Sequence, residues 1–469
     1  MKREAGILLP ISALPSRYGI GGFDRAAYEF VDFLSEAGQS VWQILPLGPT
    51  GYGDSPYQSP SAFAGNPYFI SLERLREDGL LSEEECREAD CTSADGGVDY
   101  GALYEKRNRL LRIAFSHSRQ SAEQLRFEEE HRVWLDGYAR FMARRAAPDG
   151  TASAEEMAYH RFLQFRFFED LGALRRYANE KGIRILGDLP IYVSLDSADV
   201  CFSPELFELD GQGIPTAVAG CPPDGFAPKG QLWGNPLYDW GAHEREGYAW
   251  WIKRLAHAFA MVDAVRIDHF RGFDSYYAIP YGAPDATEGE WRKGPGMSLF
   301  RAVEEALGER EIIAEDLGFI TDSVRTLVRE SGFAGMKILQ FGFDGEEEHL
   351  PHRYAENSVA FTGTHDNPTL CEWLETRSEH ELARIREYLW DFSLPREALP
   401  DTLIALLMRS PSRLAIVPMQ DYLGLGAEGR MNRPATMGGN WRWRLTREQM
   451  SGELAEKIFR LTRIGGRLP

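Results

Sequence analysis

The chain of 469 residues is poor in cysteine, short of positive charge and free of long apolar runs. Its five cysteines, Cys86, Cys91, Cys201, Cys221 and Cys371, are scattered, odd in number and show no C-x-x-C spacing. That argues against a disulfide framework and for a reduced, cytoplasmic setting. Lys+Arg number 52 against 71 Asp+Glu, a formal charge of −19. Such a surface repels phosphate backbones and anionic lipid, so neither nucleic acid nor a membrane is an expected partner, whereas a neutral ligand tolerates it. No run approaches the roughly 18 apolar residues of a membrane span. The opening MKREAGILLPISALPS lacks the apolar core and cleavage site of a signal peptide. The ten histidines contain no H-x-H and no H-E-x-x-H, and no phosphate-cradling G-x-x-x-x-G-K-[ST] is present. No metal and no cofactor is therefore expected.

Short apolar runs recur along the chain with helical stretches between them. Strands are expected at 7–10, 41–45, 183–193, 262–267, 311–314, 336–341, 359–362 and 414–418, each nearly continuously apolar, as when both faces are covered. Helices are expected at 24–38, 155–181, 298–308 and 322–331, where apolar residues recur at the 3.6-residue period and Gly38, Gly182, Gly308 and Gly332 supply the stops. Eight strands alternating with helices close naturally as a (β/α)₈ barrel, a fold that with insertions can exceed about 400 residues as one unit. The whole chain, 1–469, then forms a single catalytic barrel. Two gaps are long. Residues 66–155, between strands two and three, are expected to form a helical insertion. Residues 194–245, between strands three and four, are rich in Gly and Pro and are expected to form a loop insertion. The remaining 419–469 fit one loop and one helix, with no C-terminal β-domain.

Active sites of such barrels lie at the C-terminal ends of the strands, so the residues found there carry the argument. Strand three ends in GDLPIYV with Asp188, strand four in RIDHF with Arg266 and Asp268, strand five in AEDLG with Glu315, and strand seven in GTHDN with His365 and Asp366. Arg266 and Asp268 stand two apart, on one side of a strand, where a guanidinium favours an ionised, oriented carboxylate fit to act as nucleophile. Glu315 has the opposite need: to protonate a leaving oxygen it must hold its proton at neutral pH, through burial and neighbouring carboxylates. Asp366 is placed to bind sugar hydroxyls and stabilise a positive transition state. A single strand-end Asp is more often a turn or cap residue; several converging on one mouth suggest glycoside chemistry. Tyr57, in SPYQSPSAFAGNPY, and Trp233, in GQLWGNP, sit in Gly/Pro-rich loops and offer flat rings to pyranose faces.

At this point the sequence resembles a known family. The motifs GILLPISALPSRYGIGGFD, GYGDSPYQSPSAFAGNPYFI, GDLPIYV, QLWGNPLYDW, VRIDHFRGF, AEDLG, LQFGFD, THDN, PMQDYLGLG and RMNRPATMGGNWRWR occur in order along nearly the whole chain. They are similar to those of the 4-α-glucanotransferases, the amylomaltase or disproportionating-enzyme group, glycoside hydrolase family seventy-seven. The resemblance implies a (β/α)₈ barrel with helical insertions. It implies transfer of α-1,4-glucan segments to the 4-hydroxyl of glucose or maltooligosaccharide acceptors. It implies Asp268 as nucleophile, Glu315 as acid/base and Asp366 as transition-state stabiliser. It further implies Arg266, His365 and Tyr57 around the cleaved sugar, Gln231 and Trp233 on the acceptor-side loop, and Asp316 and Asp188 near the cleft. A monomer or weak homo-oligomer is the expected assembly. Two other readings share the residues: an α-glucan hydrolase of the amylase kind, whose usual extra β-domain is missing here, and a non-catalytic glucan-binding barrel, which would typically lack one of the three acids.

Overall fold

The computed structural model describes residues 2–51, 53–88, 90–93, 96–223, 227–436 and 438–469. Eight parallel strands close into a barrel: β1 (Glu4–Leu8), β2 (Val41–Gln43), β3 (Arg184–Leu189), β4 (Ala264–Ile267), β5 (Ile312–Ala314), β6 (Ala334–Ile338), β7 (Ser358–Phe361) and β8 (Leu414–Pro418). Each pairs with its neighbours in chain order, and β8 pairs with β1. The two-residue alternation of a strand sorts its side chains into two cores. Leu8, Val41, Leu186, Ala264, Ile313, Met336, Phe361 and Ile416 fill the barrel. Ile7, Trp42, Ile185, Val265, Ile312, Ala360 and Val417 face the surrounding helices. The inward set continues to both ends. At the bottom Arg184 pairs with Glu4 at 2.7 Å and with Glu311, which also meets Arg413 at 3.4 Å. At the top, the same parity turns Asp188, Arg266, Asp268 and Glu315 toward the axis. Gly6 permits closure, since a Cβ there would stand 2.6 Å from the Val41 carbonyl oxygen.

Four strand expectations were too long or misplaced at their ends; the first, 7–10, is found at Glu4–Leu8, since Pro10 has no N–H to pair. The run 183–193 stops pairing at Leu189, because Pro190 has no N–H to give; Ile191, Tyr192 and Val193 are apolar because they are buried, not because they are paired. The run 336–341 divides: β6 ends at Ile338, and Leu339–Asp344 is a short helix stopped by Gly345 at φ +118°. In 41–45 only Val41–Gln43 are strand. The helices at 25–36, 154–180, 297–307 and 322–331 fall within about two residues of expectation. Between β2 and β3 lie the helices Leu72–Glu77, Glu83–Glu88, Tyr100–His117, Ala122–Glu130 and Arg132–Ala146, followed by the long Ala154–Glu180.

The segment 194–245 is not simply a loop. Its strands Ala217–Cys221 and Gln231–Pro236 join Ser275–Pro280 and Glu290–Lys293, from the connection after β4, in a four-stranded antiparallel sheet. Its Gly and Pro content hid the strands: Gly220 lies in the ladder where a Cβ would come within 2.2 Å of the Gln231 carbonyl oxygen. This sheet stands beside the mouth on the β4 flank. After β8 the chain runs through a short helix, Met419–Tyr422, and an irregular stretch to a final helix, Gly452–Ile464.

Candidate active site

Arg266 is the centre of the mouth. It is buried, and its Nη1 donates to both oxygens of Asp188 at 2.7 and 2.8 Å. Strand register dictates the pairing, because Asp188 on β3 lies directly opposite Arg266 on β4. The other nitrogen, Nη2, lies 3.0 Å from Asp268 Oδ1 and 4.0 Å from Glu315 Oε2. Sharing one nitrogen keeps those two carboxylate oxygens within about 7 Å of each other. Glu315 is fixed further by the backbone: His269 N–H donates to Oε2 at 2.7 Å and Leu317 N–H to Oε1 at 2.9 Å. His269 turns to offer that N–H by adopting a left-handed conformation, φ +48°.

The two carboxyls differ electrostatically. Burial pushes Glu315 up to about 8; the Asp268 charge adds to this, while Arg266 and the two N–H donors oppose it. Asp268 rises less, to about 6, because burial outweighs the adjacent guanidinium. Arg266 favours the ionised Asp268, but burial is the larger effect, so the arginine limits a rise rather than causing a fall. At neutral pH the pair still divides as acid/base chemistry requires, with Glu315 holding its proton and Asp268 without one.

A ring cluster borders the opposite flank. Tyr57 stacks on His365 with centroids 5.2 Å apart and planes at 18°, and its hydroxyl donates to Asp188 Oδ2 at 2.8 Å. Asp366 is half exposed, with His365 Nε2 3.4 Å from its Oδ1. Sequence reasoning missed two partners here. Trp441 packs against both Tyr57 and His365 at 5.9 and 5.8 Å, and Asn432 Nδ2 donates to Asp366 Oδ1 at 2.6 Å. The Gly438-Gly439-Asn440 turn before Trp441 is the same kind of signal that singled out Tyr57 and Trp233. Asn432 lies in the motif RMNRPATMGGNWRWR, but its residue type gave no sign of a contact with Asp366.

Across the mouth, Gln231 Oε1 accepts from Trp233 Nε1 at 3.0 Å, and the Trp233 ring meets His269 edge-on at 4.9 Å. The structure thus brings Asp188, Arg266, Asp268 and Glu315 together, with Tyr57, His365 and Asp366 on one side and Gln231 and Trp233 on the other. Asp316 does not join them. Its side chain turns to the neighbouring strand, accepting from Met336 N–H at 2.7 Å, and its charged neighbours are Lys337 and Glu348. Being one residue from Glu315, it has the opposite parity, which explains the departure from expectation. One grouping of three possible metal ligands occurs among the described residues, Glu346, Glu348 and His349. There His349 Nδ1 already accepts from Ile338 N–H at 2.9 Å, so in the neutral ring Nε2 carries the proton and no imidazole lone pair is free.

A closed parallel barrel with a strand-end arginine–carboxylate cluster at its mouth and aromatic rings on either side is the architecture of a barrel enzyme acting on glycosides. The chain belongs to the 4-alpha-glucanotransferase family, glycoside hydrolase family seventy-seven, whose model matches residues 9–155 and 147–450. It is 46% identical to the 4-alpha-glucanotransferase of Streptococcus pneumoniae over 499 aligned residues, covering 100% of this chain and 98% of that protein. The 4-alpha-glucanotransferase of Thermus thermophilus is 45% identical, with 98% of each chain covered. Among solved structures, the amylomaltase of Streptococcus agalactiae in complex with acarbose superposes with a TM-score of 0.95 at 39% identity, each chain covered completely.

Proposed function

We propose that this chain is a 4-α-glucanotransferase that cleaves an α-1,4-glucan and passes the segment retained on the enzyme to the 4-hydroxyl of glucose or a maltooligosaccharide. The observation that carries the chemistry is Arg266 Nη2, which reaches Asp268 at 3.0 Å and Glu315 at 4.0 Å. It holds the two carboxyls side by side, as a double displacement through an Asp268 ester needs. Asp268 attacks the anomeric carbon while Glu315 gives its proton to the departing 4-oxygen, and the reducing-end fragment leaves. A β-glucosyl ester remains on Asp268. Glu315, now a carboxylate, takes the proton of an incoming 4-hydroxyl, whose oxygen displaces the ester and restores an α-1,4 bond.

Positive charge develops on the sugar ring in the transition state of each step. The carboxylates of Asp268 and Asp366 face it, and Tyr57 and His365 present a stacked surface beside Asp366. Trp233 and Gln231, next to the His269 turn that holds Glu315, are placed to line the acceptor side. The test is incubation with maltotriose and separation of products by size. A transferase gives glucose together with a ladder of longer maltooligosaccharides. Glucose and maltose without a ladder would assign the chain to hydrolysis.

A further inference from the structure

The mouth has two unequal flanks. Tyr57, His365, Asp366 and Trp441 follow β2, β7 and β8, which form one arc of the barrel. On the opposite arc, the segments leaving β4 and β5 carry two large rings that no step above uses. Trp291 is 42% exposed, on the outermost strand of the four-stranded sheet, and Phe319 is 59% exposed, four residues beyond Glu315. Arg271, three residues beyond Asp268, joins them. Its guanidinium lies 3.8 Å over the Trp291 ring, and its Nη1 donates to the Phe319 carbonyl. Its Nη2 donates to Ser275 Oγ at 3.1 Å. The same two connections are tied again where Ser323 Oγ donates to Asp274 Oδ2 at 2.9 Å.

This arrangement costs more than packing requires. A buried arginine covers one exposed ring, Trp291, and fixes the backbone that carries the other, Phe319, and folding gains nothing from leaving the two rings in water. Flat rings held open at a carbohydrate mouth suit the apolar face of a pyranose, and the neutral sugar is not repelled by an acidic protein. Trp291 belongs to the same four-stranded sheet as Trp233, and Phe319 to the connection that follows Glu315. We propose that Trp291 and Phe319 form an outer acceptor subsite for glucosyl units of a maltooligosaccharide beyond the first, with Arg271 as the positioning residue that fixes both rings to the segments bearing Asp268 and Glu315. The proposal rests on the transferase reading above.

The experiment uses maltotriose as common donor and compares labelled glucose with labelled maltotetraose as acceptors. In Trp291→Ala and Phe319→Ala the preference for maltotetraose, as the ratio of the two kcat/KM values, falls roughly tenfold, the loss typical of one well-packed aromatic contact. Phe319→Tyr retains the preference. Phe319 is mostly exposed, so its replacement spares the fold even where that of Trp291 does not. A ring with a purely structural role would lower both acceptors alike; an unmoved ratio in Phe319→Ala overturns the proposal. A wild-type protein that transfers to neither acceptor overturns instead the transferase reading.

Discussion

Replacing Arg266 separates chemistry from architecture, because one side chain serves three carboxylates. Two unit charges about 4 Å apart at an effective dielectric of 20 interact by about 4 kcal/mol, or about three pH units. Water entering the vacated space screens part of this, so the expected upward shift of Asp268 is about one to two units. The sign follows from the chemistry. Asp268 must be ionised to attack, so rate is lost as pH falls through its value near 6. Removing the cation raises that value and moves the acidic limb toward neutrality. Arg266→Met also strands the fully buried Asp188, and breaking such a pair costs about 3–5 kcal/mol of stability, even with the Tyr57 hydroxyl still donating. Arg266→Lys keeps one charge but not the fork, so it can satisfy Asp188 or Asp268, not both. The assay is glucose release from maltotriose as a function of pH, with a melting curve for each variant. The lysine variant should melt near wild type, lose at least tenfold in kcat and show the shifted limb. Near-normal turnover with an unmoved limb would refute the reasoning.

Wild-type kcat/KM should follow a bell with limbs near 6 and 8, the Asp268–Glu315 pair titrating as a unit; a profile still flat at pH 9 would show that Glu315 is not the proton donor. Glu315→Gln should be inactive yet more stable at pH 8. The folded state holds Glu315 above its ordinary 4.5, so that group's contribution is present below 4.5 and lost as pH rises toward 8. A melting temperature higher by about 2 °C at pH 8 but not at pH 4 is expected, and a variant less stable at pH 8 would contradict it. Asn432→Ala releases the Asp366 carboxylate and should cost about tenfold in kcat with little change in KM, since a hydrogen bond to a charged group is worth about 1.5–3 kcal/mol; an equal rise in KM would place Asn432 in ground-state binding instead.

The barrel was legible because its strands are covered on both faces and read as short apolar runs between periodic helices. The mouth was legible because several runs end in charged residues at their C-terminal ends, where a barrel places its site: Arg266 and Asp268 in VDAVRIDHF are the plainest case. What stayed hidden depends on contacts distant in sequence. The four-stranded sheet joins two hairpins from separate connections, 217–236 and 275–293, through a pairing of Ala217–Cys221 with Ser275–Pro280 that is distant in sequence. Asn432 meets Asp366 across 66 residues, and Trp441 reaches Tyr57 from the far end of the chain. Asp316 misled for a local reason: adjacency to Glu315 suggested a shared cleft, whereas adjacent strand residues point to opposite sides.

The same geometry explains why one arginine can serve two carboxyls with opposite tasks. Asp188 takes two hydrogen bonds from Nη1, Asp268 takes the 3.0 Å contact from Nη2, and Glu315 is left at 4.0 Å. Three anions and one cation cannot all be held ionised in so enclosed a space, because the second uncompensated charge would face both burial and its neighbours. The proton therefore settles on the group farthest from the guanidinium, which is Glu315, although it accepts two backbone N–H bonds that favour its charged form. In the proposed double displacement Asp268 loses its charge on becoming an ester, and the repulsion that adds to burial in raising Glu315 disappears with it. Glu315 then turns from proton donor to base at the point in the cycle where an acceptor hydroxyl must be activated. The alternation needs no movement of the protein, only the transfer of one negative charge from Asp268 to Glu315.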